Sequence, residues 1–226
     1  MLKIKTLSIA LFATFFAFSA MAQVSMGLTA TALTYDASGN EKMKSSGNKT
    51  NKDASGEAGY ASIFIEYTLP TDTVIGIDVM PYSQKIGDGT NSVPDTDVSD
   101  DADTAGTNKT DVNMSGHAMI YIEQPIDADF GFGMPFVKIG FSQMTLETDE
   151  SVATGSTYGD ETMDAFHVGV GLKGDLDDGF WKLGLTYGDY DGATFVGSED
   201  VDSVSNTITL EEMETLSLSL SIGQSF

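Results

Sequence analysis

The chain has 226 residues, 11 Lys+Arg against 34 Asp+Glu, no cysteine and a formal charge of −23. That balance argues against nucleic-acid binding, which needs clustered cations and the release of counterions. The absence of cysteine removes disulfides, thiolate metal sites and thiol nucleophiles.

Lys3 and Lys5 are followed by an apolar stretch from Leu7 to Phe18 and then by Ala20-Met21-Ala22 before Gln23. This order predicts a secretory signal peptide over residues 1–22. The apolar stretch falls short of the roughly 20 residues that a spanning helix needs. Residues 23–226 are then expected to form one domain. Their apolar period is two rather than 3.6, which predicts strands. In chain order these lie near 23–35, 59–69, 73–83, 114–124, 134–146, 162–174 and 179–190. The eighth is the C-terminal segment, where Leu216, Leu218, Leu220, Ile222 and Phe226 alternate with small residues.

The connections alternate in length. Tight breaks follow the second, fourth and sixth strands, at Pro70-Thr71-Asp72, 125–129 and 175–179. Long polar stretches follow the others, roughly 36–58, 84–113, 147–161 and 190–208. Short turns at one end and long loops at the other are the pattern of a membrane β-barrel, with periplasmic turns and extracellular loops. The fold class expected is all-β, an eight-stranded antiparallel up-and-down transmembrane barrel in the outer membrane, with both termini periplasmic. A soluble sandwich or barrel would also alternate, but its inward face needs bulk. Here the less apolar face carries Gly76, Gly140, Gly169, Gly171, Gly184, Ser217, Ser219, Ser221 and Gly223, which suit a cramped lumen. Ile63, Ile120, Val137, Ile139, Val168, Val170, Leu183 and Leu185 would face lipid. Tyr67, Trp181, Tyr187 and Phe226 would girdle the interfaces.

The same alternation assigns Glu66, Asp78 and Glu123 to the lumen, together with Lys138, Lys173 and Lys182. Three acids and three bases near the short turns are expected to form one neutral layer, since a buried charge is tolerable only when paired. A selectivity filter or proton path is the functional alternative. Tyr60, Phe64, Tyr121 and Phe136 would narrow the lumen further.

Other constellations are weaker. Gly169-Val170-Gly171-Leu172-Lys173-Gly174 matches G-x-G-x-x-G but runs into a turn and a strand, where a dinucleotide site needs a helix. Asp95, Asp97, Asp100, Asp101 and Asp103 lack the Gly and Glu of an EF-hand, leaving loosely bound Ca2+ or Mg2+ as an expectation beside that of a solvated acidic loop. Neither His117, with Ser115 two residues away on the same strand face, nor His167, three residues from Asp164, assembles a triad by spacing alone, so no enzyme is expected and a barrel-embedded lipid-modifying enzyme is a remote alternative.

Pro135 to Gly140, Phe166 to Gly171 and Leu185 to Tyr190 resemble the fifth to seventh strands of small bacterial outer-membrane barrels, the family of the OmpA membrane domain and OmpX. Leu218, Leu220, Ile222 and the terminal Phe226 are similar to that family's C-terminal signal for the barrel assembly machinery, although Gln224 departs from it. The resemblance implies contact with outer-membrane lipids and the assembly machinery, a monomer, and a structural or surface-interaction role in envelope integrity, adhesion or cation-mediated contacts. A narrow porin for small solutes or ions is the alternative. The acidity should lie on three of the four extracellular loops, because acids and lysines balance over 36–58.

Overall fold

A computed structural model describes residues 23–42, 47–93, 106–128, 130–151, 157–198 and 206–226. The predicted signal peptide and the five aspartates at 95–103 lie outside the described residues. Ten strands form one antiparallel sheet: β1 (Gln23–Lys42), β2 (Lys49–Thr68), β3 (Val74–Val79), β4 (Gln84–Val93), β5 (Gly106–Pro125), β6 (Met134–Ser151), β7 (Glu161–Leu176), β8 (Gly179–Tyr190), β9 (Ala193–Val196) and β10 (Thr207–Ser225). Pairing of β1 with β10 closes the sheet into a ring of eight hydrogen-bonded strands. Up to the end of β3, closure leaves no free edge around the ring, which lets a sheet satisfy its own backbone.

At the short-turn end, Asp72 at φ 62° turns the chain between β2 and β3, and Leu69 N–H donates to Thr73 O at 2.8 Å. Asp177 and Asp178 alone connect β7 to β8. The turn between β5 and β6, at 126–133, is longer than expected and bends at Gly131 (φ 79°).

Burial alternates along the strands as predicted. Phe64, Tyr121 and Phe136 point inward, and Ile63, Ile120, Val137, Ile139, Val168, Val170, Leu183 and Leu185 point outward. The inward glycines make room for rings on neighbouring strands: a Cβ on Gly76 would collide with the Tyr121 ring, and one on Gly171 with the ring of Phe136. On the outer face, register stacks the rows Ile222–Leu28–Ile63, Leu220–Ala30–Ala61 and Leu218–Ala32–Gly59 across β10, β1 and β2. Above them lie Leu216–Thr34–Glu57, Glu214–Asp36–Ser55 and Glu212–Ser38–Asp53. The apolar belt therefore covers residues 24–32 of β1, within the roughly 9–11 residues that a tilted membrane strand requires.

Three expectations are corrected. Much of the polar sequence read as loops is strand, because β1, β2, β5, β6 and β10 run on well past the belt. Polar residues do not stop a ladder whose cross-strand pairs are retained. The third stave is broken in two, whereas β8 spans 179–190 as expected and is followed by the short β9 inside the stretch read as a loop. Pro81, which has no N–H to give a ladder, lies between β3 and β4, while Asp191-Gly192 separates β8 from β9. Finally, Gly116 (φ 59°) makes a bulge in β5, so Met114 and His117 both face the lumen, and Ser115 does not share the face of His117.

The break after β3 opens a seam. Among the described residues, β2 pairs with β3 only as far as Ile63↔Val79, and β4 pairs with β5 but not with β2. Two tyrosines bridge it. Ala61 N–H donates to the Tyr82 hydroxyl at 2.6 Å, and the Tyr35 hydroxyl donates to Ile86 O at 3.1 Å. Tyr35 crosses over Gly56, where a Cβ would collide with its ring and hydroxyl.

Candidate functional site

The lumen is where buried polar chemistry converges from all sides of the ring. Toward the short turns, Lys182 of β8 reaches across to β2 and β5. Its Nζ donates to Glu66 and, at 3.1 and 3.2 Å, to both carboxylate oxygens of Glu123. Lys138 of β6 approaches Glu123 Oε1 at 3.0 Å and lies 3.8 Å from the centre of the Tyr121 ring. Tyr121 donates its hydroxyl to Glu66 at 2.7 Å. Two acids and two bases thus cancel, with Glu66 only 1% exposed. The charge-assisted bonds link opposite walls in a medium where leaving any one partner alone would be costly.

The structure brings together four of the six expected lumen charges. Lys173 instead lies 4.2 Å from the centre of the Phe180 ring, a cation–π contact. Asp78 lines a cavity on the hairpin side of the layer and has no ion-pair partner among the described residues. Asp78 sits two residues along β3 from the position paired with Glu66, and Lys173 one strand over from Lys182, offsets that alternation alone does not resolve.

That cavity, about 60 Å³, has space on the order of a few water molecules. His117, His167, Tyr60 and Tyr190 line it. Ser142 Oγ and His167 Nε2 are 2.7 Å apart, and His117 Nδ1 has no hydrogen-bond partner among the described residues. The sequence neighbours set beside the histidines are elsewhere. Ser115 donates to Glu147 at 2.5 Å, and Asp164, on the outer face, accepts from Gln143 at 2.9 Å.

Beyond the cavity the lumen closes again with a layer that sequence reasoning missed. Met80, Met114, Met144, Met163 and Met213 converge with Leu146, Tyr190 and Phe195 into a buried apolar cluster. Parity would have found Met144, Met163 and Met213, which continue the inward series of their strands. It misplaces Met114, because the bulge at Gly116 reverses the alternation there. Unbranched thioethers suit this irregular space.

The residues of the terminal signal form the outer face of β10, where Leu218, Leu220 and Ile222 are exposed, and Phe226 N–H donates to Val24 O at 2.8 Å at the closure of the ring. The glycines of the G-x-G-x-x-G match lie on β7, which passes through a two-residue turn into β8, so no helix N-terminus exists there for a pyrophosphate.

No family model and no curated protein matches the chain. Among solved structures, it is similar to the outer membrane protein OprG from Pseudomonas aeruginosa, at 12% identity over 90% of this chain and 96% of that one, with a TM-score of 0.58. The outer membrane protein AlkL, solved in DMPC bilayers, matches at 16% identity over 88% and 90%, with a TM-score of 0.49. The outer membrane protease OmpT from Escherichia coli matches at 9% over 92% and 99%, with a TM-score of 0.45. The likeness to OprG, together with the closed ring, carries the conclusion: the chain has the fold of a small outer-membrane β-barrel protein.

Proposed function

We propose that this chain is an exported outer-membrane barrel that is closed to diffusion, acting as a structural and surface-interaction protein. The observation that carries this reading is Lys182 bonded across the lumen to Glu66 and Glu123, backed by the methionine layer. An apolar belt of membrane height supports a setting in lipid. In this reading the short turns and both termini are periplasmic, the long acidic hairpins are extracellular, and the barrel is a monomer placed by the barrel assembly machinery. It is not an enzyme, and Ca2+ or Mg2+ is held loosely by hairpin carboxylates.

Recording in a planar bilayer tests closure: no steady conductance is expected from the native barrel, and ohmic openings would overturn it. The narrow-porin reading draws on the polar cavity between the two layers. It requires conductance to rise when the methionine layer is thinned, for instance by Met163→Gly.

A further inference from the structure

Outside the lumen, the wall formed by β10, β1 and β2 carries a shallow, mainly apolar groove of about 560 Å³, with Thr34 and the carboxylate of Glu57 in its lining. Ala32 and Gly59 form its floor, and Leu216 and Leu218 stand beside it. Directly above on the same three strands is a second depression, about 360 Å³, lined by Asp36, Asp53, Glu212 and Glu214. From Ala32 to Asp36 is four residues, roughly 13 Å along a strand.

Register places Asp36 opposite Glu214, and Ser38 lies between Glu212 and Asp53. Like charges on facing strands destabilise a sheet. Glu211 has Lys49 at 3.2 Å and Asp111 has Lys85 at 2.8 Å, whereas these four carboxylates have no ammonium partner among the described residues. Glu214 accepts the Tyr187 hydroxyl at 2.5 Å, which leaves its charge uncancelled. Nor do the four converge as metal ligands would, since no group of acids and histidines among the described residues could hold a metal ion. A cation with its charge spread over several centres suits them better than a single ion. The groove is continuous with the apolar belt, so an occupant reaches it from within the lipid.

We propose that the groove docks a cationic amphiphile, its acyl tail over Ala32 and Gly59 and a head of several ammonium groups against the four carboxylates. This rests on the membrane-spanning reading above. It assigns the acidity of this wall a partner chemistry: an apolar chain and a polycation in one molecule.

The test uses the full chain in nanodiscs of zwitterionic phospholipid, with N-dodecylspermine, spermine and dodecyl maltoside as probes and calorimetry as readout. A Cβ at Gly59 would meet nothing closer than the backbone Thr31 O at 3.5 Å, an ordinary contact, so Gly59→Leu places its side chain in the groove without a clash at Cβ. N-dodecylspermine is expected to bind the native barrel at least tenfold tighter than either spermine or dodecyl maltoside. Gly59→Leu should lose that tenfold and leave spermine binding unchanged. The triple variant Asp36→Asn, Glu212→Gln, Glu214→Gln should weaken both polycations. Equal binding of N-dodecylspermine to native and Gly59→Leu barrels would overturn the proposal, as would equal binding to the triple variant. A gel of unboiled and boiled samples monitors folding of each variant. Failure of the native chain to enter nanodiscs with a heat-modifiable band would sink the membrane reading itself, whereas insertion with equal binding sinks the groove alone.

Discussion

The two ends of the lumen are closed by opposite means. Near the short turns, four charges and a tyrosine hydroxyl join opposite walls by directional bonds; near the hairpins, five methionines fill the space by shape alone. A narrow barrel can thus be filled either by partners that specify one another or by flexible side chains that adapt. The first arrangement tolerates no loss of a partner, while the second tolerates exchange at constant volume.

Breaking the charged end should cost the most. Lys182→Met strands Glu66 and leaves Glu123 with Lys138 alone, and is expected to cost about 3–5 kcal/mol in urea unfolding from lipid vesicles. A loss under about 1 kcal/mol would show that the layer is not coupled. Glu66→Gln, nearly isosteric, should also destabilise, because Lys182 loses half its countercharge and Tyr121 its charged acceptor. Unchanged stability and conductance would contradict the layer.

The hairpin end should answer differently. Met163→Ala is expected to cost about 2–3 kcal/mol through the cavity it leaves, and Met163→Leu less than about 1.5 kcal/mol. Should the two substitutions cost the same, shape is not what fills that end. Smaller again are the seam contacts. Tyr35→Phe removes the donor to Ile86 O and should cost about 1 kcal/mol, with faster amide exchange confined to β4 and the facing part of β2.

Least of all is expected where the same ion-pair chemistry is exposed. Asp111, hydrogen-bonded to Lys85, raises the Lys85 pKa above its usual value, so the pair is complete below the ordinary lysine range and is lost as pH rises through that raised value. Lys85→Met should nevertheless leave the urea midpoint at neutral pH unchanged within error, because solvent screens an exposed pair. A large shift there would erase the contrast with the lumen.

Much of this contrast was legible from alternation. Glu66, Glu123, Lys138 and Lys182 fall on the inward face of their strands by counting in twos, and so do Met144 and Met163. Two things defeated the count. The bulge at Gly116 reverses the parity of Met114 and Ser115, and a lone glycine in a strand does not announce whether it packs or bends. The ends of the strands were equally hidden, since the polar second half of β1 and the polar first residues of β2 and β10 look like loops by composition yet stay paired, with one register shift at Ser38/Gly39.

Local sequence dictated the strands, their two faces and the alternation of short and long connections, because side-chain direction in a strand is a local property of period two. Which lumen charges meet was settled only when the ring closed. Lys182 finds Glu66 and Glu123 from the far side of the barrel, and Asp78 and Lys173 are left out, because stagger around the closed sheet sets the height of each strand relative to those opposite it. The seam and its two tyrosine bridges are likewise products of the assembled sheet, since they depend on where β3 ends beside a strand that continues past it.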